Sequence, residues 1–214
     1  MRKLLLGFAI LSTSALAAGN HAYLKVGMDV SSRYSKIKYL GETTNNGKTK
    51  GTGYEIGAEF TQDILPNVEL GLGLAYQNHA KIKADEEKNA KTYSIPVYAL
   101  AKYKFDLESE FVPYVKAGIG YSFNKLKEKS YNNVEGNGDY EKVKAKWDNG
   151  LYTTIGMGVD YQDFNVELTY SVNRGKLSAS YEEKDGLLEE KMKLKDSNYA
   201  YGHLTLGFGY KFNF

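Results

Sequence analysis

The 214-residue sequence predicts an all-β chain that folds as an eight-stranded antiparallel up-and-down transmembrane β-barrel. Three observations carry that prediction. Eight segments of about ten residues alternate apolar with small or polar side chains, the period of a strand with two unlike faces. Tyrosine or phenylalanine stands at the ends of the apolar faces. The connections alternate between short and long.

The chain opens with "MRKLLLGFAILSTSALAAGN". A basic start at Arg2 and Lys3, an apolar run from Leu4 to Leu11 and an Ala15-Leu16-Ala17 site make residues 1–17 a secretory signal peptide, with a short N-terminal core helix as the alternative. The run falls short of the roughly 20 residues a helical span needs. Residues 18–214 then form one domain. Without Arg2 and Lys3 the 28 basic residues become 26, equal to the 26 acidic ones, so no attraction to nucleic acid is implied. There is no cysteine, which excludes disulfides, zinc-thiolate sites and thiol nucleophiles. No 18-residue apolar run exists, so helical spans are excluded.

The segments follow in order. "YLKVGMDVSSRY" sets Leu24, Val26, Met28 and Val30 against Lys25, Gly27 and Asp29. "GYEIGAEF" sets Tyr54, Ile56, Ala58 and Phe60 against Glu55, Gly57 and Glu59. "VELGLGLAY" sets Val68, Leu70, Leu72 and Leu74 against Glu69, Gly71 and Gly73. "YSIPVYALAKYKF" sets Ile95, Val97, Ala99 and Ala101 against Ser94, Tyr98 and Lys102. "FVPYVKAGIGYSF" sets Val115, Ala117 and Ile119 against Tyr114, Lys116 and Gly118. "GLYTTIGMGVDY" sets Thr153, Ile155, Met157 and Val159 against Tyr152, Gly158 and Asp160. "FNVELTYSV" sets Phe164, Val166 and Leu168 against Asn165, Glu167 and Thr169. The last segment, ending "GFGYKFNF", sets Phe208, Tyr210, Phe212 and Phe214 against His203, Thr205, Gly207, Gly209 and Lys211.

A soluble β-sandwich also alternates, but two details favour the barrel. Tyr34, Tyr54, Tyr76, Tyr93 and Tyr121 fall at one level and Phe60, Tyr103, Phe105, Tyr161 and Phe214 at the other, a double aromatic girdle. Tight turns ("TQDILPN", "DLESE", "QD") alternate with polar stretches of about a dozen residues or more, as in barrels with short periplasmic turns and long outer loops. The last strand must then pair with the first, because lipid tolerates no open edge.

The alternating rings at Phe208, Tyr210, Phe212 and Phe214 resemble the β-signal read by the outer-membrane barrel assembly machinery. The whole of residues 18–214 resembles the small eight-stranded outer-membrane proteins: the OmpX and opacity family and the membrane domain of OmpA. "IPVYALAKYKF" and "PYVKAGIGYSF" look like their fourth and fifth strands. The resemblance implies a Gram-negative-type outer membrane reached by the Sec route, a bed of lipid and lipopolysaccharide, and no cofactor. It departs from OmpA in stopping at Phe214, with no peptidoglycan-binding domain expected beyond.

Phase places one inward charge on each strand near its turn end: Lys25, Glu59, Glu69, Lys102, Lys116, Asp160, Glu167 and Lys211. A buried charge needs a partner, and each has an opposite charge on a neighbouring strand. Across closure the two lysines meet, and Asp29 is expected to serve them. The network reads as a structural plug, or as a gate that conducts ions when pairs exchange. Inward glycines leave room for Tyr98, Tyr114 and Tyr152, not for a wide pore.

The outer stretches "YEKVKAKWDNG", "GKLSASYEE", "EEKMKLKD" and "AKIKAD" alternate as well, so strands are expected to rise above the membrane as a protruding sheet. "GLLEEKMKLKD" has a short helix as its alternative. An exposed edge could recruit an extracellular protein's strand, or its lysines could merely prevent edge association. Those lysines also suit lipopolysaccharide phosphates. Catalysis finds no constellation: of His21, His79 and His203, phase turns His203 into the lumen, and no lipid-facing His with a Ser neighbour is found. No carboxylate spacing suggests a calcium or other metal site. The leading reading is a non-enzymatic surface-interaction barrel serving adhesion, envelope integrity or resistance to host defence. A narrow channel for ions or very small solutes is the alternative.

Overall fold

The computed structural model describes residues 19–35, 37–39, 42–45, 47–82, 91–127, 133–134, 140–185 and 188–214. The expected signal peptide, residues 1–17, lies outside them. Eight long strands form the wall: β1 (Asn20–Tyr34), β2 (Tyr54–Leu65), β3 (Val68–Asn78), β4 (Lys91–Lys104), β5 (Phe111–Lys127), β6 (Gly150–Tyr161), β7 (Phe164–Asp185) and β8 (Leu188–Asn213). Each pairs antiparallel with its neighbour in sequence. β1 also pairs with β8, from His21↔Asn213 to Tyr34↔Tyr201, which closes the barrel. Closure leaves no unpaired edge in the wall, the condition a sheet must meet in hydrocarbon.

The two faces are inverted relative to a soluble protein. Leu24, Val26, Ile56, Leu74, Val97, Ile119, Ile155 and Phe208 are all exposed on the outside. Lysines, glutamates, asparagines and serines are buried inside. Outward rings gather in rows at the two levels. Tyr54, Tyr76 and Tyr93 neighbour one another at the loop end, while Phe60 stacks on Phe214 and Phe111 on Tyr161 at the turn end.

Two details differ from the sequence reading. Tyr34 was expected in the outer girdle but is 2% exposed and faces the lumen. The cause is a bulge: β8 pairs Thr205 with Asp29 and Leu204 with Ser31, so Val30 is an extra residue and every later side chain of β1 changes face. The first turn is shorter than "TQDILPN": β2 runs on to Leu65, and only Pro66 and Asn67 turn. From Leu188 onward, "LEEKMKLKD" is strand, as its alternation predicts, and not the helix that stood as the alternative.

β7 and β8 stay paired from Phe164↔Tyr210 to Asp185↔Leu188, far past the top of β1. Above β6 the neighbour of β7 changes to Tyr140–Trp147, whose outer edge pairs briefly with Asn133–Val134. A sheet therefore stands above the barrel on one side, as the alternation in "YEKVKAKW", "GKLSASYEE" and "EEKMKLKD" predicts.

Inward glycines make room for rings. A Cβ on Gly73 would overlap the Tyr98 ring, and one on Gly158 the Tyr114 ring. These are close approaches that only hydrogen at Cα allows.

Ile155 lies midway along β6 on the outer face, 62% exposed. Ile155→Arg is expected to cost about 2–4 kcal/mol of unfolding free energy in phospholipid vesicles, the midplane value for a basic side chain facing lipid. Reversible urea titration measures it, and a cost below about 1 kcal/mol would place this face in water or at the interface.

Candidate functional site

The charges placed inward by the sequence line the lumen, which is built in layers. The deepest charges form a square. The Lys25 ammonium of β1 bonds both Glu59 of β2 and, at 2.9 Å, Glu167 of β7. The Lys116 ammonium of β5 bonds the same two carboxylates at 3.0 and 2.9 Å. Tyr98 donates its hydroxyl to Glu59 at 2.8 Å, and Tyr114 donates to Glu167 at 2.9 Å. Each carboxylate thus receives two ammoniums and a phenol, in a space where all four charged groups are buried.

Toward the turn end lies a second group. Glu69 accepts from Lys104 at 2.5 Å and from the Thr61 hydroxyl at 2.6 Å, with Lys102 at 3.7 Å. The Lys102 ammonium sits over the faces of Tyr23 and Tyr114, 3.7 and 4.3 Å from the ring centres. Ring quadrupoles supply part of the attraction that a hydrogen bond would otherwise give. Asp160 accepts from Asn165 at 3.0 Å and Tyr23 at 3.3 Å, and lies 3.9 Å from Lys211.

Above the square the lining is mostly neutral, with Glu55 held by the Gln77 amide and Asp29 by the Tyr201 and Thr205 hydroxyls. Tyr98 and Tyr152 pack on each other with Leu100. An amide and hydroxyl ladder follows. Asn173 donates to Gln77, Ser122 donates to Asn173, and Ser94 donates to Asn124. The loop end is closed by rings: Tyr34, Trp147, Tyr199 and Tyr201, with His79 and His203 against Tyr201 at centroid distances of 4.1 and 5.0 Å.

The sequence-predicted residues are placed as follows. Lys25, Glu59, Lys116 and Glu167 meet in the square; Glu69 and Lys102 meet below it, as do Asp160 and Lys211. Partners were expected on neighbouring strands, yet Lys116–Glu59, Lys116–Glu167 and Lys25–Glu167 reach across the lumen. Asp29 serves neither lysine: it accepts from Tyr201 at 2.7 Å and Thr205 at 2.9 Å, one level higher. Four strand residues separate it from Lys25, about 13 Å of rise, which is why it cannot help at closure. Phe208 and Tyr210 lie outward on β8, beside Val26 and Leu24 of β1, and Phe212 lies beside Ala22. Phe214 is tied by mutual backbone bonds with Asn20 at 3.0 and 3.1 Å.

Sequence reasoning missed Lys104, Glu55 and the aromatic lid. Lys104 and Glu55 carry inward phase, a signal that was available; the lid assembles from segments whose contacts no period reveals. A metal site was not expected, yet His21, Asp63 and Glu69 bring ligand atoms within 4.8 Å of one another. Lys104 bonds both carboxylates there, at 3.2 and 2.5 Å, so an ammonium already holds the cation position. His79 and Ser94 also meet, at 2.7 Å. The Ser94 proton is directed to Asn124, so His79 donates to the serine rather than taking its proton, the reverse of nucleophile activation.

Comparison with known proteins follows from this architecture. Residues 4–212 match the family model "Outer membrane protein beta-barrel domain". An uncharacterized protein of Pasteurella multocida (strain Pm70), PM1543, is 30% identical over 99% of this chain and 98% of its own. Among solved structures, OprG of Pseudomonas aeruginosa superposes with a TM-score of 0.56 at 19% identity, covering 91% of this chain and 96% of that one. Neisserial surface protein A gives 0.48 at 16%, covering 90% and 97%. At 19% identity the likeness to OprG shows the fold alone.

Lys116→Met would leave Glu59 and Glu167 sharing only Lys25. The expected loss is about 3–5 kcal/mol of stability, the cost of breaking a buried pair from one side. Lys116→Met with Glu167→Gln restores the charge balance and should recover part of that loss. Urea midpoints of the three barrels in one vesicle composition decide it; a double variant no better than the single would remove charge balance as the reason for the square.

Proposed function

This chain belongs to the outer membrane protein β-barrel domain family, and on that premise we propose that it is a sealed, non-enzymatic barrel that presents its outer sheet for surface interaction. We place it in the outer membrane of a Gram-negative-type bacterium, exported by the Sec route after removal of residues 1–17. The roles that fit are adhesion, envelope integrity or resistance to host defence.

One observation carries this reading. The β7–β8 hairpin continues for about 40 Å of strand beyond the Tyr34↔Tyr201 pair that ends the β1–β8 seam. Among the described residues, none pairs with the free side of β8 from Leu188 to Tyr199. A paired hairpin of that length, with one open edge, is a template for an added strand. Lys191, Lys193 and Lys195 recur at every second position along it and suit a partner strand that carries acidic residues. The lumen supports the same reading, because side chains of the square, the amide ladder and the aromatic lid are buried at successive levels along it. The hydrogen-bond direction at Ser94 supports the non-enzymatic part.

The same reading extends to assembly. The outward rings of Phe208, Tyr210, Phe212 and Phe214 would be what the barrel assembly machinery reads. Removing Phe214 should slow insertion more than removing the hairpin tip; insertion at the normal rate would discard this role.

Two measurements test the main reading. Vesicles that contain the folded barrel should hold a sodium gradient and small sugars; leakage that rises on Glu59→Gln would favour the narrow channel instead. Replacing residues 180–195 by a tight turn should abolish attachment or resistance of cells that display the protein, while the barrel keeps its heat-dependent gel mobility. Unchanged attachment and resistance would overturn the surface reading.

A further inference from the structure

A second feature lies at the extracellular rim, on the side opposite to none of the layers above but outside them, where the tops of β2, β3 and β4 meet the short strands Thr49–Lys50 and Lys81–Ile82. A cavity of about 370 Å³ there is lined by Lys50, Thr52, Tyr54, Asn78, Lys81 and Lys91, among others. Lys50 and Lys81 are directly opposed partners in the small antiparallel ladder. Like charges at opposed positions destabilise a strand pair. Lys91 adds a third ammonium, and among the described residues no carboxylate pairs with any of the three. The excess positive charge is therefore met by nothing in the described protein.

The placement of Lys50 is fixed from below. Thr49 donates its hydroxyl to the Ser32 carbonyl at 3.0 Å and accepts from the Ser32 hydroxyl at 3.1 Å. Strand alternation then turns Lys50 away from β1. Tyr54 contributes a donor: its oxygen accepts from the Asn78 amide at 3.2 Å, which leaves its own proton for an acceptor in the cavity.

Depth identifies the ligand. Tyr54, Tyr76 and Tyr93 form a row of neighbouring rings on β2, β3 and β4, at 6.5 and 5.8 Å between centres. Such rows sit at headgroup level. Lys91 lies two residues beyond Tyr93 in the same outward phase, about 7 Å along the strand. A ring row at headgroup level therefore sets the Lys91 ammonium at the depth expected for outer-leaflet phosphates.

We propose that this cavity binds a phosphate monoester, supplied by an outer-leaflet glycolipid or as the free anion, with Lys50, Lys81 and Lys91 as point-charge ligands and Tyr54 as a hydroxyl donor. The site is independent of the surface-interaction reading, since it needs neither the hairpin nor a protein partner.

The test uses the full chain expressed to the outer membrane, extracted in mild detergent and stripped of lipid. Native mass spectrometry follows titration with bisphosphorylated lipid A, dephosphorylated lipid A and inorganic phosphate. Lys50→Gln/Lys81→Gln/Lys91→Gln should weaken binding of the phosphate-bearing probe by about tenfold or more, and the triple arginine variant should retain it. Tight lipid A with weak inorganic phosphate identifies the glycolipid as the source; comparable binding of inorganic phosphate alone identifies the free anion. Equal binding by wild type and the glutamine variant, or equal retention of dephosphorylated lipid A, overturns the proposal. Should the triple variant not assemble, Lys81→Gln and Lys91→Gln singly carry the same test, each expected to lose about threefold.

Discussion

The structure depends on neutralising charge in a buried space. Transferring one carboxylate or ammonium from water costs several kcal/mol even after relaxation. Glu59 and Glu167 are therefore tolerable only because Lys25, Lys116 and a tyrosine hydroxyl converge on each. That convergence sets conditions elsewhere. Tyr98 reaches Glu59 only because Gly73 offers no Cβ, and Tyr114 reaches Glu167 only because Gly158 offers none. The glycines on the inner face, the phenols and the charges are one device. The wall can then be apolar outside, because the buried charges of the square are met within and the backbone of the wall by its own ladder.

The form of the square bears on conduction. In a simple ion pair, a passing ion could take one partner while the other found a new one. Here each lysine already bonds both glutamates and each glutamate both lysines. No member has a vacant partner to exchange with, so an ion would have to open two bonds on one residue at once. This arithmetic favours a plug over a gate.

Much of this was legible in the sequence, for a definite reason. Period two assigns a face to each residue, and a closed wall makes one face lipid and the other lumen, so Lys25, Glu59, Lys116 and Glu167 could be placed inside from spacing alone. What spacing does not carry is height. Strands in a barrel tilt and stagger, so residues that look adjacent along the chain can stand at different levels. Asp29 was matched to the closing lysines and lies well above them, while Lys116 finds its partners on strands it does not touch. A bulge is equally silent: nothing in "MDVSSRY" marks Val30 as the extra residue, and one insertion moved Tyr34 from the girdle to the lid. Trp147 belongs to a stretch whose alternation with lysines was noticed, but its burial depends on rings from β1 and β8.

Trp147 also ties the outer sheet to the aromatic lid. Its backbone pairs with Leu177 of the β7–β8 hairpin, and its ring meets Tyr199 edge-on at 5.7 Å and His79 at 5.8 Å. Tyr199 stacks in turn on Tyr34 of β1 at 5.5 Å. The base of the protruding sheet is thus packed into the lid of the lumen, and its orientation is set by a buried aromatic cluster rather than by a flexible hinge. A surface held in this way has already given up most of the freedom that binding would otherwise remove, and preorganisation of that kind strengthens association without adding a contact. The lumen and the raised sheet are consequently not separate traits: the rings that pack at the loop end of the lumen are the rings that hold the base of the sheet in place.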